Sequence, residues 1–209
     1  FTPISIVGLL NTALIANANV SQKNATEMIA HLKTKPDNVV AATSGVGSYS
    51  HLAGEWFAAG AGVPLKFVPY NTVSPYSDLV AGQVQLMFDA LPAAIGNVRA
   101  GKLKVLALTG KTRHPNFPDI PTFAETGLDG MVALNWWGIY LPAGTPQAIV
   151  DNYNATLAKA MVNPDLKDRY NKLGVEPHAT SPAEFRTFLA NERAKYSKLI
   201  ADNNIKADQ

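Results

Sequence analysis

Cysteine is missing from the 209-residue sequence. That excludes disulfides, zinc–thiolate centres and cysteine nucleophiles. An excess of one charge sign is missing too: 18 Lys/Arg stand against 16 Asp/Glu, for a net charge of +2. The charges are evenly spread, with nine basic and eight acidic residues between 17 and 137 and the same numbers elsewhere. No basic face is available for phosphate backbones and no polybasic patch for a membrane surface, so no nucleic-acid partner is expected. Histidine is sparse. His31, His51, His114 and His178 show neither H-E-x-x-H nor facial-triad spacing, so no metal site is expected. No apolar run approaches the roughly 20 residues of a membrane helix. The opening Phe1-Thr2-Pro3-Ile4 has no basic segment and no cleavage pattern of a signal peptide. That leaves a cytosolic protein, or a mature or truncated form of an exported one.

What is present is ordinary globular material, 47% apolar and 16% charged, enough for one large domain or two small ones. Apolar runs at Ile4–Leu10 and Thr12–Ala16 read as two strands. Asn24 with Glu27 forms a capping box ahead of Met28, Ile29 and Leu32, which share a helical face, and Pro36 ends that helix. Strands are predicted at Asn38–Thr43, Leu65–Pro69, Val84–Asp89 and Lys104–Thr109. Helices are predicted at Tyr49–Ala61, Pro75–Ala81 and Leu91–Ala100, the last two stopping at Gly82 and Gly101. Strands and helices alternate, and the strands are apolar on both faces. The expectation is therefore an α/β fold with a mainly parallel sheet between helices. After Gly110 the pattern changes. His114–Pro121 is irregular and proline-rich, and Met131–Leu141 is a long apolar run holding Trp136, Trp137 and Gly138. A helical tail follows, with starts at Thr145-Pro146, Asp165 and the capping box Ser181-Pro182-Ala183-Glu184.

Chemistry concentrates in Ser44-Gly45-Val46-Gly47-Ser48, between a strand and a helix. Gly45 and Gly47 let the backbone turn tightly. Ser44 and Ser48 add hydroxyls, and the helix start offers unpaired amides for an anion. The plainer alternative is that Ser48 caps its helix and the glycines turn the chain. The loop is neither a Walker loop nor G-x-G-x-x-G, since His51 stands at the third glycine, so no nucleotide cofactor is expected. A Ser48 nucleophile with His51 and Asp89 fails the G-x-S-x-G pattern. Tyr70 and Asn71, after the next strand, either reach a ligand beside this loop or belong to a plain turn with an Asn-Thr cap. Asp89 ends a buried strand on the same sheet edge, where it either binds a ligand amine or hydroxyl or caps the next helix. Trp136 lines a cleft or packs in the core.

In order and spacing these segments resemble the tripartite tricarboxylate transporter substrate-binding proteins, the Bug or TctC family. The resemblance runs from Phe1-Thr2-Pro3-Ile4 through Ser44–Ser48 with His51-Leu52, Val68-Pro69-Tyr70, Asp78–Val84, Met87-Phe88-Asp89, Gly101–Ala107, Pro118–Thr122 and Trp136-Trp137-Gly138 to Pro142–Pro146. It implies a type II periplasmic binding fold of two α/β domains joined by crossover strands. It implies a periplasmic, non-enzymatic receptor that holds a small organic carboxylate (dicarboxylate, amino acid or aromatic acid) for membrane permease subunits. It places Ser44, Gly45, Gly47, Ser48, Tyr70 and Asp89 at the ligand. Asn71-Thr72 departs from the family's Lys-Gly at that point. The resemblance further implies that residues 15–137 form a complete second domain. Residues 1–14 and 138–209 form a first domain without its central strands and Gly-rich loop, prone to self-association or to pairing with an N-terminal fragment, and the isolated chain binds ligand weakly or not at all. The alternatives are a small hydrolase or transferase acting through Ser48, or a sensory binding domain without transport.

Overall fold

The computed structural model describes residues 1–35, 38–115, 117–128, 130–131 and 133–206. Its elements are β1 (Thr2–Asn17), α1 (Ala25–Thr34), β2 (Val40–Thr43), α2 (Tyr49–Ala61), β3 (Lys66–Pro69), α3 (Tyr76–Ala81), β4 (Leu86–Ala90), α4 (Leu91–Arg99), β5 (Leu103–Leu108), β6 (Leu134–Leu141), α5 (Gln147–Met161), α6 (Pro164–Lys172), β7 (Val175–Pro177) and α7 (Pro182–Asp202). None of the described helices is long and apolar enough to cross a membrane.

The chain divides into two compact units: Phe1–Leu10 with Leu134–Ser197, and Asn11–Ala133 with the stretch from Lys198 onward. Both crossings fall four residues earlier than the sequence suggests, at Leu10/Asn11 and Ala133/Leu134. Hydrogen bonding explains why. Thr12 pairs with Ala90, and the Ala133 carbonyl accepts from the Tyr49 and Thr109 hydroxyls, so both residues belong to the second unit.

In the second unit the strand order is β3-β2-β4-β1-β5. β2 runs parallel to β3 and to β4, but β1 is antiparallel to both β4 and β5. The sheet is therefore mixed, which corrects the mainly parallel expectation. Helix α4 carries the chain from β4 past one strand position to β5, and β1 fills the gap in the opposite sense. The two runs read as separate strands are one strand of 16 residues.

Alternation feeds both faces of this sheet. Leu14, Ala41 and Phe88 pack with Met28, Phe57 and Phe123 on one side. Ala13, Ala42 and Met87 pack with Leu79, Leu91 and Ala94 on the other. Between β1 and β5 the register slips at Leu14/Ile15, so that Ala107 opposes Leu14 and Val105 opposes Ile15. Leu106 is the extra residue of this bulge.

In the first unit, β1 pairs with β6 and, through Gly8–Leu10, with β7. β7 is too short to announce itself in the sequence. Phe185 of α7 sits so close to Gly138 that a Cβ there would overlap its ring. Trp136 meets Phe185 and Phe188 edge-on. Asn154 of α5 donates to the carbonyls of Ile4, at 3.0 Å, and Thr180, at 2.7 Å.

The capping boxes form. The Glu27 amide donates to Asn24 Oδ1 at 2.9 Å, and Ser181 exchanges hydrogen bonds with Glu184. The start expected at Thr145 differs: Thr145 Oγ1 donates to the Pro142 carbonyl, and Pro146 stands at the N-cap of α5 without a side-chain cap. Pro36, expected to end α1, lies outside the described residues.

Candidate functional site

Because β2, β3 and β4 are parallel, the chain leaves all three at one edge of the sheet. The segments after Thr43, Pro69 and Asp89 therefore lie side by side, as the sequence predicts for Ser44–Ser48, Tyr70-Asn71 and Asp89. The Tyr70 amide ties the second segment to the first by donating to the Thr43 carbonyl at 2.8 Å.

The Ser44–Ser48 loop turns through Gly45, at φ +109°, and Gly47, at φ +73°, backbone conformations that favour glycine. Three of its amides, and that of His51 in α2, have partners within the loop and the first turn of the helix. Ser44 donates to Ser50 Oγ at 2.8 Å, Ser48 to the Gly45 carbonyl at 3.2 Å, Gly47 to His51 Nδ1 at 3.0 Å, and His51 to Ser48 Oγ at 3.3 Å. No acceptor among the described residues takes the amides of Gly45, Val46 or Ser50. These three amides belong to residues at or just before the start of α2, near the positive end of its dipole, and Gly45 and Ser50 are buried. Ser48 is the N-cap of α2, so the cap and the donor-rich loop are one feature rather than rival readings. Its hydroxyl lies 3.0 Å from that of Ser50. Ser44 is exposed.

The loop has firm support. Tyr49, the first residue of α2, hydrogen-bonds Thr12 of β1 and the Ala133 carbonyl. Thr109, just past β5, bonds the same carbonyl and accepts from the Thr12 amide at 3.0 Å. A hydroxyl cluster thereby anchors α2 to the centre of the sheet.

The remaining site residues are placed as follows. Asn71 stands against Gly45, its Oδ1 2.7 Å from where a Gly45 Cβ would be. The Tyr70 hydroxyl turns away and donates to Asp78 Oδ2 at 2.7 Å. That hydrogen bond to a carboxylate raises its pKa. Asp89 does not cap α4, whose N-cap is Ala90 without a side-chain bond. Instead Asp89 Oδ2 accepts from the Tyr76 hydroxyl at 2.9 Å and Oδ1 from the Ala90 amide at 2.7 Å. Burial pushes the Asp89 carboxyl upward despite both hydrogen bonds, which act to lower it. Burial, then the neighbouring Asp89, raises the Tyr76 phenol. Trp136 lies in the first unit, packed on phenylalanines, and the other seven residues lie in the second.

Sequence reasoning missed His51. It is nearly buried, lies edge-on to Phe67 at 5.0 Å, and places Nε2 3.4 Å from Glu55 Oε1. Its contact with Ser48 runs through its backbone amide, and both ring nitrogens are engaged elsewhere, which is not the arrangement of a base serving a Ser48 nucleophile. The signal available was Ser48-x-x-His51, a capping-box spacing with an imidazole in place of a carboxylate. A separate hollow of about 410 Å³, bordered by Asn17, His31, Asn38 and Gln85, opens at the other end of the sheet, where β2 and β4 begin.

A sheet of this order, with a glycine-turned loop at the head of a helix, has the α/β architecture of the periplasmic-binding-protein type. Comparison makes the assignment narrower. Residues 1–205 match the family described as tripartite tricarboxylate transporter family receptor, TctC, and the chain belongs to that family. It is 33% identical over 211 residues to the UPF0065 protein in the tcbD-tcbE intergenic region of Pseudomonas sp. strain P51, covering 100% of this chain and 63% of that relative. Among solved structures it superposes on R. palustris Rpa4515 with adipate with a TM-score of 0.90 at 29% identity, covering 100% of this chain and 70% of the other. It superposes on MatC (Rpa3494) from Rhodopseudomonas palustris with bound malate with a TM-score of 0.83 at 28% identity, covering 96% and 69%. The chain thus spans about 63% of the length of two of the curated relatives it matches.

Proposed function

We propose that the protein is an extracytoplasmic receptor that binds a small organic carboxylate, without transforming it, and presents it to the membrane subunits of a tripartite transporter. The observation that carries this reading is the set of unpaired amides at Gly45, Val46 and Ser50 beside the Ser44 and Ser48 hydroxyls. The Ser48 and Ser50 hydroxyls lie 3.0 Å apart and either can donate; when Ser50 does, the Ser48 proton is left for an outside acceptor. Each hydrogen bond to a charged acceptor contributes roughly 1.5–3 kcal/mol, against roughly 0.3–1 kcal/mol from the helix dipole. The donors therefore dominate the grip. Adipate and malate in the related structures are acids of the expected class.

The test is a titration of the ¹⁵N-labelled chain with adipate and with malate, followed by amide shifts so that weak binding is also seen. The amides of Gly45, Val46 and Ser50 should move together and saturate. A folded chain whose loop amides stay still at high concentrations of both acids would remove the basis for this reading.

A further inference from the structure

We infer that His51 is the positioning residue of the ligand loop: as the neutral imidazole it holds the Gly47 amide, and a second proton on the ring releases the loop.

The geometry fixes which nitrogen carries the hydrogen. The Gly47 amide points at Nδ1 from 3.0 Å, so Nδ1 must offer its lone pair, and the single ring proton sits on Nε2, facing Glu55 Oε1 at 3.4 Å. The two residues that bracket the cap are thus tied reciprocally: the His51 amide to Ser48 Oγ, and the Gly47 amide to the His51 ring. This double tie engages the Gly47 and His51 amides, while those of Gly45 and Val46 take no acceptor among the described residues. Gly47 is free to adopt this pose because nothing lies within 4 Å of where its Cβ would be.

The groups that face the ring are few. From its own helix comes Glu55, from the loop the Gly47 amide, and from β3 the uncharged Phe67 ring, against which His51 is pinned edge-on. Glu55 is the charged one, and it favours a proton on Nε2 in either state. The second proton must then go to Nδ1, where it would confront the Gly47 N–H, donor against donor. A buried ring cannot turn to avoid this without leaving Phe67 or Glu55. The loop gives way instead, and the Gly45 and Val46 amides lose their arrangement. Carboxylate binding is therefore coupled to the protonation of a residue that does not touch the carboxylate.

The affinity part of this inference rests on the loop being a carboxylate grip; the hydrogen bond itself does not. Nuclear magnetic resonance of the ¹⁵N-labelled 209-residue chain tests them separately. At neutral pH we expect a through-hydrogen-bond coupling between the Gly47 and His51 Nδ1 nitrogens and ring shifts of the Nε2–H form. On acidification the coupling should vanish and the Gly45–Ser50 amides should shift in step with the ring. An Nδ1–H form at neutral pH, or a Gly47 amide that ignores the ring's titration, overturns the inference. His51→Asn keeps an acceptor near the Nδ1 position but cannot charge, so its loop shifts and adipate response should not change with pH. His51→Leu should lose the loop arrangement at every pH. If wild type gives no adipate response at any pH, the receptor reading fails, while the coupling still decides the role of His51. Should His51→Leu not fold, the wild-type measurement stands alone.

Discussion

Asn71 Oδ1 occupies the space that any side chain on Gly45 would need, 2.7 Å from its Cβ position. The two loops at the sheet edge are therefore fitted to each other at a residue whose φ of +109° already favours glycine. Gly45→Ala should cost about 1–3 kcal/mol in urea unfolding through backbone strain alone, plus displacement of Asn71. Gly47→Ala, with open space around it, should cost only the left-handed term of about 1–2 kcal/mol. Adding Asn71→Ala should recover part of the Gly45→Ala loss and none of the Gly47→Ala loss. Equal costs for both glycines would contradict the fit.

Ser44→Ala should weaken adipate binding with little change in melting temperature, because its structural contact is made by its amide, not its hydroxyl. Ser48→Ala should weaken binding and also cost about 1 kcal/mol, because Ser48 caps α2. Calorimetric melting alongside the ligand titration separates the two effects.

Asp89 makes stability depend on pH in the less usual direction for a carboxylate. Burial raises its folded pKa above the unfolded value, so its contribution is fullest in acid, below the unfolded pKa, and is lost as pH rises through the folded one. Asp89→Asn should remove that loss and raise the melting temperature at neutral pH more than in acid. The opposite ordering would show that the Tyr76 and Ala90 hydrogen bonds outweigh burial.

Glu125 works the other way. Its hydrogen bonds from Arg113, at 2.9 and 2.7 Å, and from Thr122 hold its carboxyl down to about 2, from an ordinary 4.5. The stability it contributes is present above pH 4.5 and is lost as pH falls towards 2. In Glu125→Gln the acid limb of the melting curve should flatten. An unchanged limb would remove this pair from the account of acid unfolding.

Phe57, Phe88 and Phe123 form a closed aromatic group under α2, with ring centroids 5.6–6.1 Å apart and almost no exposure. Phe123→Ala should cost about 3–5 kcal/mol in urea unfolding. A much smaller cost would mean that the loop before β6 adds little to the second unit.

Much of this was legible in residues whose signal is local. Tyr49–Ala61 appears as a helix because Ser48 caps it and Gly62 stops it in a left-handed turn. The grouping of Ser44–Ser48, Asn71 and Asp89 at one edge followed from strand–helix alternation. What was hidden depends on distant partners. The direction of β1 leaves no trace in a strand buried on both faces. Asp89 looked like a cap because the sequence before Leu91-Pro92 fits one, whereas its actual partner, Tyr76, comes from another helix. Trp136 was open between a cleft wall and the core, because its phenylalanine neighbours lie some fifty residues further on. His51 was passed over because it was weighed only as a missing glycine or a poor base.

The long first strand has a consequence for synthesis. β1 ends at Asn17, yet its neighbours in the second unit begin at Leu86 and Leu103, and its partner β7 in the first unit at Val175. At roughly 5–20 residues per second, this apolar strand waits several seconds for β4 and β5 and longer for β7. During that interval it is the segment most in need of a chaperone.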